Sequence, residues 1–194
     1  MPASFDDCGD VVTRPKYLAH VVLKTPTPAT FKAMVDFYKI FLNAKASYEN
    51  EYLSFLTYDE EHHRIAIAIF PGTVERSVAS AGLAHVAFAF DSLRDLALAY
   101  RQRKKHGILP FWSVNHGPTT SIYYKDPDGN EIETQVDNFD TNEEVDKFMT
   151  GPAFANNPIG VDFDPEDLIK RLKSGEAEAD IKKRPESGRR TLLT

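Results

Sequence analysis

The sequence predicts an α+β fold in which two βαβββ modules form one cupped mixed sheet, followed by a helical C-terminal extension. Three observations carry the prediction. The tetrapeptide Leu-Ala-His-Val occurs twice, at residues 18–21 and 83–86. Each copy opens the same succession of patterns: an apolar run, an amphipathic helical stretch, then short runs of strand character. The offset between copies is nearly constant. His85 lies 65 residues after His20, while Ser121-Ile122-Tyr123 lies 67 after Ser54-Phe55-Leu56 and Ile132-Glu133 lies 67 after Ile65-Ala66. A two-residue loop insertion accounts for the difference.

The elements follow in order. Residues 17–23 are β-branched and apolar and read as a strand. Thr27-Pro28 supplies an N-cap and a proline at the first helical position, and Phe31, Met34, Val35, Tyr38, Phe41 and Leu42 recur at helical spacing, so 28–43 is a helix. Residues 46–49 form a short strand, and strands at 52–58 and 64–70 flank the polar turn Asp59-Glu60-Glu61. The second module repeats the order. Residues 82–90 are a strand, and Asp91 or Ser92 caps a helix that buries Leu93, Leu96, Ala97 and Tyr100 and stops near Gly107. Strands then fit 110–114, 121–124 and 132–136. Beyond Asp137 the pattern changes. Thr141-Asn142-Glu143-Glu144 has capping-box spacing and opens a short helix to about Met149. Asp164-Pro165 opens another, with Leu168, Ile169 and Leu172 on one side and Gly175 as its stop. After Glu176 the chain is charged and poor in apolar residues and reads as a mobile or partner-draped tail. The expected organisation is an arm at 1–15, a domain at 16–138 built from modules 16–71 and 82–138, and an extension at 139–194.

Bulk properties exclude several functions. A chain of 194 residues with a formal charge of −6 lacks the basic surface that phosphate neutralisation needs, so nucleic acid is not an expected partner. The basic cluster at 101–105 ends a helix, where cations suit the dipole. No apolar run is long enough for a bilayer, and the acidic first ten residues lack the order of a secretory signal. Cys8 is the only cysteine, so an intrachain disulfide is impossible and a reducing, cytoplasmic setting is expected.

The repeat concentrates the chemistry. One histidine in an apolar strand is ordinarily a hydrogen-bonded core residue. His20 and His85 at equivalent positions of a duplicated module point instead to a shared metal. A carboxylate follows the turn Asp126-Pro127-Asp128-Gly129-Asn130. Glu131 and Glu133 are two residues apart and share a strand face, so alternation leaves both open. Two imidazoles and one carboxylate are the ligand set of a non-haem Fe(II) site with open positions. The first-module counterpart of Glu133 is Ala66, so the repeat supplies three protein ligands rather than four. His62 and His63 precede a strand, and a solvated turn is the ordinary fate of either; His116 sits before a Gly-Pro-Thr-Thr stretch, and His106 in a basic helix end has no assigned role.

Taken together, His20, His85 and the segment from His116-Gly117 through Tyr123 and Asp126-Pro127-Asp128-Gly129-Asn130 to Glu133 resemble the vicinal oxygen chelate superfamily. Within it they resemble the type I extradiol ring-cleaving dioxygenases, over about residues 17–137. The resemblance selects Glu133, ten residues after Tyr123, over Glu131. It implies that His20, His85 and Glu133 hold Fe(II), with Mn(II) as the alternative metal. It implies that His63 is the acid–base residue and that His116 and Tyr123 hydrogen-bond the substrate oxygens. The substrates implied are a catechol, such as catechol itself or a 2,3-dihydroxybiphenyl, and O2, and the relatives usually self-associate into homo-oligomers. The chain departs from many such enzymes in holding one module pair instead of two, with a tail that includes Asn157-Pro158-Ile159-Gly160 placed to shape or cover a pocket. Two rival functions share the fold: a glyoxalase-like metal-dependent isomerase or lyase, which usually takes four protein ligands, and a metal-free binding protein. Phe111, Trp112 and Tyr124 are candidates for an aromatic pocket wall, although core packing suits each equally well.

Overall fold

The computed structural model of the chain describes residues 10–77 and 79–191. The first nine residues of the expected arm, with Cys8, lie outside that range; residues 10–15 are exposed coil.

The first module runs β1 (Val21–Thr25), α1 (Pro28–Phe41), β2 (Lys45–Glu49), β3 (Leu53–Thr57) and β4 (Ile65–Ile69). The second runs β5 (His85–Ala89), α2 (Leu93–Lys105), β6 (Trp112–Asn115), β7 (Thr119–Lys125) and β8 (Glu131–Asp137). The extension adds α3 (Asn142–Met149), α4 (Pro152–Asn156), β9 (Val161–Asp162), α5 (Pro165–Lys173) and α6 (Glu178–Ile181). The caps are those the sequence calls for. Thr27 and Thr30 exchange bonds at the start of α1, Ser92 accepts from Asp95 N at the start of α2, and Thr141 and Glu144 form the capping box of α3.

Each module is its own hydrogen-bonded sheet, with orders β1-β4-β3-β2 and β5-β8-β7-β6-β9. β1 pairs with β4, and β5 with β8, in parallel, as a βαβββ repeat requires. The single sheet of the expectation is thus two, because β1 and β5 are edge strands with no backbone ladder between them. Side chains join the modules instead. The Tyr38 hydroxyl of α1 donates to Asp126 at 3.0 Å, and Phe41 meets Tyr124 edge-on at 5.1 Å. Arg103 of α2, 3 % exposed, donates through Nε and Nη2 to the Phe41 carbonyl, which α1 leaves without a helical partner. Its guanidinium lies 3.7 Å from the Phe41 ring centroid. Burial lowers the Arg103 pKa from its usual range.

The helices bury one face of each sheet. Phe31, Met34, Val35 and Tyr38 of α1 pack with Leu23, Leu56, Ile65 and Ile67, and Leu93, Leu96 and Tyr100 of α2 pack with Ile122, Ile132 and Val136, in one continuous core. Side chains alternate along a strand, so the other face is exposed along the edge strands, at Val22 and Lys24 of β1 and Ala87 and Ala89 of β5, while Ala66, Ala68, Tyr123 and Glu133 on the inner strands are buried.

His20 departs from its expected mid-strand place and lies one residue before β1. Arg64 explains the shift. Its Nη1 takes the carbonyls of Leu18 and Ala19, at 3.2 and 3.0 Å, and the ladder begins only at Val21 N donating to Arg64 O. The tail departs further. α6 buries Ile181, Arg184 bonds to the His116 carbonyl and Arg190 to Asp162 of β9, so the segment beyond Glu176 is tied down at these points.

Candidate active site

The register of β5, β8, β7 and β6 assembles half of the site. Ala87 stands opposite Glu133, His85 opposite Glu131, Tyr123 opposite Glu133, and Trp112 opposite Tyr123. Residues directly opposite across a ladder share a face. His85, Glu133, Tyr123 and Trp112 therefore project together from the open side. Glu133 is 5 % exposed, and its Oε2 lies 3.0 Å from His85 Nε2. Glu131 sits at the rim, 3.5 Å from Lys125 Nζ. Burial separates the two glutamates where alternation does not.

His116 follows β6 and turns its ring into the same cluster. Its Nε2 is 2.9 Å from the Tyr123 hydroxyl, and its Nδ1 contacts the carbonyl of Ile159 in the extension. Trp112 stacks on Tyr123 with centroids 4.8 Å apart. Burial, then the nearby Glu133 charge, pushes the Tyr123 hydroxyl pKa up. Burial pulls the His116 imidazole pKa down, against the bond to Ile159 O, which raises it.

The other half lies on the first module. The His20 and His63 rings are 4.3 Å apart, and His63 is stacked between Phe55 at 4.5 Å and His62 at 4.4 Å. Burial and the neighbouring His20 and His62 lower the His63 pKa, which favours a neutral ring able to accept a proton. His62 is largely solvent-facing beside Glu61, and His106 caps the C-terminus of α2, away from these residues.

A groove of about 200 Å³ runs between the modules, lined by His20 and Val21 on one side and Val86, Ala87 and Phe88 on the other; His85, Glu133, Tyr123, His116 and His63 are not part of its lining. The structure thus brings together His85, Glu133, Tyr123 and His116, and separately His20 and His63. Among the described residues no three His, Cys, Asp or Glu side chains stand close enough to hold a metal ion. The donor chemistry nonetheless suits one. A buried carboxylate and an imidazole already meet, and His20 lines the groove beside Ala87, the ladder partner of Glu133.

Two contributors escape sequence reasoning. Phe55, which stacks on His63, reads there as an ordinary strand residue. Ile159 acts through a backbone carbonyl, which no side-chain pattern announces. Trp112, a candidate wall by sequence, does face the cluster, whereas Tyr124 points into the core and is fully buried.

Comparison with known proteins agrees with this architecture. The model of the Glyoxalase/Bleomycin resistance protein/Dioxygenase superfamily matches residues 18–134. Two curated relatives from Rhodococcus globerulus are similar over most of their length. Biphenyl-2,3-diol 1,2-dioxygenase 2 is 46 % identical over 162 residues, 83 % of each chain. Biphenyl-2,3-diol 1,2-dioxygenase 3 is 45 % identical over 166 residues, 84 % of this chain and 86 % of that one. Among solved structures, a glyoxylase/bleomycin resistance protein/dioxygenase domain from Frankia sp. EAN1pec superposes with a TM-score of 0.52 at 17 % identity, covering 64 % of this chain and 99 % of that one. A glyoxalase/bleomycin resistance protein/dioxygenase from Nocardioides gives 0.52 at 19 % identity, covering 66 % and 86 %. The structures speak for the fold, and the family model and the two curated sequences for the lineage: the chain belongs to the glyoxalase/bleomycin resistance protein/dioxygenase superfamily.

Proposed function

We propose that the chain is an extradiol ring-cleaving dioxygenase that opens a catechol-type ring with O2, and that 2,3-dihydroxybiphenyl is the substrate to try first. The observation that carries this reading is the cluster of His85, Glu133, Tyr123 and His116 on one open sheet face. The names of the two Rhodococcus relatives support the choice of substrate. Both atoms of O2 enter the product, and the C–C bond beside the diol is the one that breaks.

In this reading His20, His85 and Glu133 would hold a divalent ion, Fe(II) first and Mn(II) as the alternative. When bound, such an ion would supply one-electron chemistry and Lewis acidity toward the diol. The chain's own side chains do the rest. His63, neutral and stacked on Phe55, takes a proton from a substrate hydroxyl and later returns one to a leaving oxygen. Tyr123 and His116 form the polar wall against the other substrate oxygen. Trp112, stacked on Tyr123, and Phe111, 6.2 Å from the same ring, flank it with apolar surface suited to an aryl substituent. A cytoplasmic homo-oligomer completes the proposal; no described helix is long and apolar enough to cross a membrane.

The test is oxygen uptake and formation of the coloured ring-opened product from 2,3-dihydroxybiphenyl, with Fe(II)-loaded protein under reducing conditions. Turnover that requires a vicinal diol supports the reading. Absence of oxygen uptake across a panel of catechols refutes it.

A further inference from the structure

The extension meets the site at several points, among them the contact of His116 Nδ1 with the carbonyl oxygen of Ile159 and the bond that Trp112 Nε1 donates to Asp162. A carbonyl only accepts, so Nδ1 carries the proton. A neutral imidazole holds one N–H, so Nε2 presents a lone pair, and it accepts the 2.9 Å bond from the tyrosine hydroxyl in competition with the nearby Glu133 carboxylate.

The loop that presents Ile159 is held from several directions. Asn157, 2 % exposed, accepts from Ile159 N at 3.1 Å and Gly160 N at 2.7 Å. Its Nδ2 donates to Gly160 O at 3.0 Å and to Ser187 Oγ at 2.8 Å. Gly160 has φ 114°, and a Cβ there would press on the Asn115 carbonyl and lie 2.8 Å from His116 Cα. Arg184 bridges the two segments, donating to Asn157 O at 2.7 Å and His116 O at 3.0 Å. β9 then pairs Val161 with Asn115, the residue before His116. Backbone and ring of His116 are tied to the same short loop.

We propose that loop 157–160 is a positioning device that fixes His116 in its Nδ1–H tautomer, which makes Nε2 the resting proton acceptor behind Tyr123. With its proton directed at Nε2, the Tyr123 oxygen keeps a lone pair that can accept from a substrate hydroxyl. Burial that lowers the His116 pKa keeps the ring neutral, hence accepting, before substrate arrives. The part played in turnover rests on the ring-cleavage reading above; the tautomer does not.

The test is long-range ¹H–¹⁵N correlation on the full chain with labelled histidines at about pH 7.5, where a neutral ring dominates, with His116 assigned by its loss in His116→Gln. The wild-type protein should show protonated Nδ1 and bare Nε2; an Nε2–H tautomer there overturns the proposal without any variant. Asn157→Ala should shift His116 toward the Nε2–H form and lower kcat for 2,3-dihydroxybiphenyl about 10- to 100-fold, with KM changed less than about twofold. An unchanged tautomer in folded Asn157→Ala overturns the claim. An Nδ1–H tautomer in a protein that cleaves no catechol supports the positioning claim and sinks only the activity reading.

Discussion

Replacing Tyr123 with phenylalanine removes one oxygen atom from the proposed polar wall and little else. The ring keeps its stack on Trp112 at 4.8 Å and its edge contact with His85 at 5.5 Å. The lost bond to His116 Nε2 is between neutral groups, worth about 1 kcal/mol net. For a chain of this size that corresponds to a fall in Tm of roughly 2–4 °C. Loss of a polar group aimed at developing charge is larger, about 2.7 kcal/mol in the transition state, or about 100-fold in kcat. Steady-state oxygen uptake with 2,3-dihydroxybiphenyl, alongside thermal unfolding of the same samples, separates the two effects. A small Tm change with a large kcat loss is expected. A kcat within about threefold of wild type would show that the hydroxyl does not act on the reacting oxygens, and the argument from its position would fail.

Three other substitutions probe different parts of the structure. His63→Phe preserves the stack on Phe55 and should leave metal and catechol binding intact while removing most of the rate; wild-type turnover would refute the acid–base role. Arg103→Met keeps apolar bulk between Phe41 and Tyr124 but strips both bonds from the Phe41 carbonyl, and should cost about 2–4 kcal/mol in denaturant unfolding; a neutral result would deny Arg103 its part in joining the modules. Glu166, whose pKa Lys104 and then Tyr100 pull down to about 2, contributes stability that is present above the unfolded value of 4.5 and lost as pH falls from there toward about 2. Glu166→Gln should therefore be less stable than wild type at neutral pH, with the gap closing through that window; a gap independent of pH would contradict the linkage.

The legible parts of the fold are those governed by local chemistry. Thr27-Pro28, Ser92 and the Thr141–Glu144 box start helices where their side chains find free amide groups, and Gly107 and Gly175 stop them at φ 76° and 81°. The turn after β7 follows from Asp126, whose carboxylate accepts from Asp128 N, Asn130 N and Asn130 Nδ2. The repeat makes the pairing of β5 with β8 legible, and with it the meeting of His85 and Glu133. What sequence hides is non-local. Arg184 and Arg190 read as solvated charge, yet they bond to backbone carbonyls and a carboxylate far away in the chain. The two-residue β9 is too short to have a period. The link from His116 to Ile159 spans 43 residues and ends on a main-chain atom. The first strand begins at Val21 because of a guanidinium 43 residues later, at Arg64, and that shift sets where His20 stands.

The position of His20 is where the account is most exposed. Anaerobic titration of the purified chain with Fe(II), repeated on His20→Ala, His85→Ala and Glu133→Ala, measures whether both modules serve one ion. The account predicts one tight site per chain that each substitution abolishes or weakens by orders of magnitude. Unchanged affinity in His20→Ala would contradict it, leaving His85 and Glu133 as a pair without the third donor.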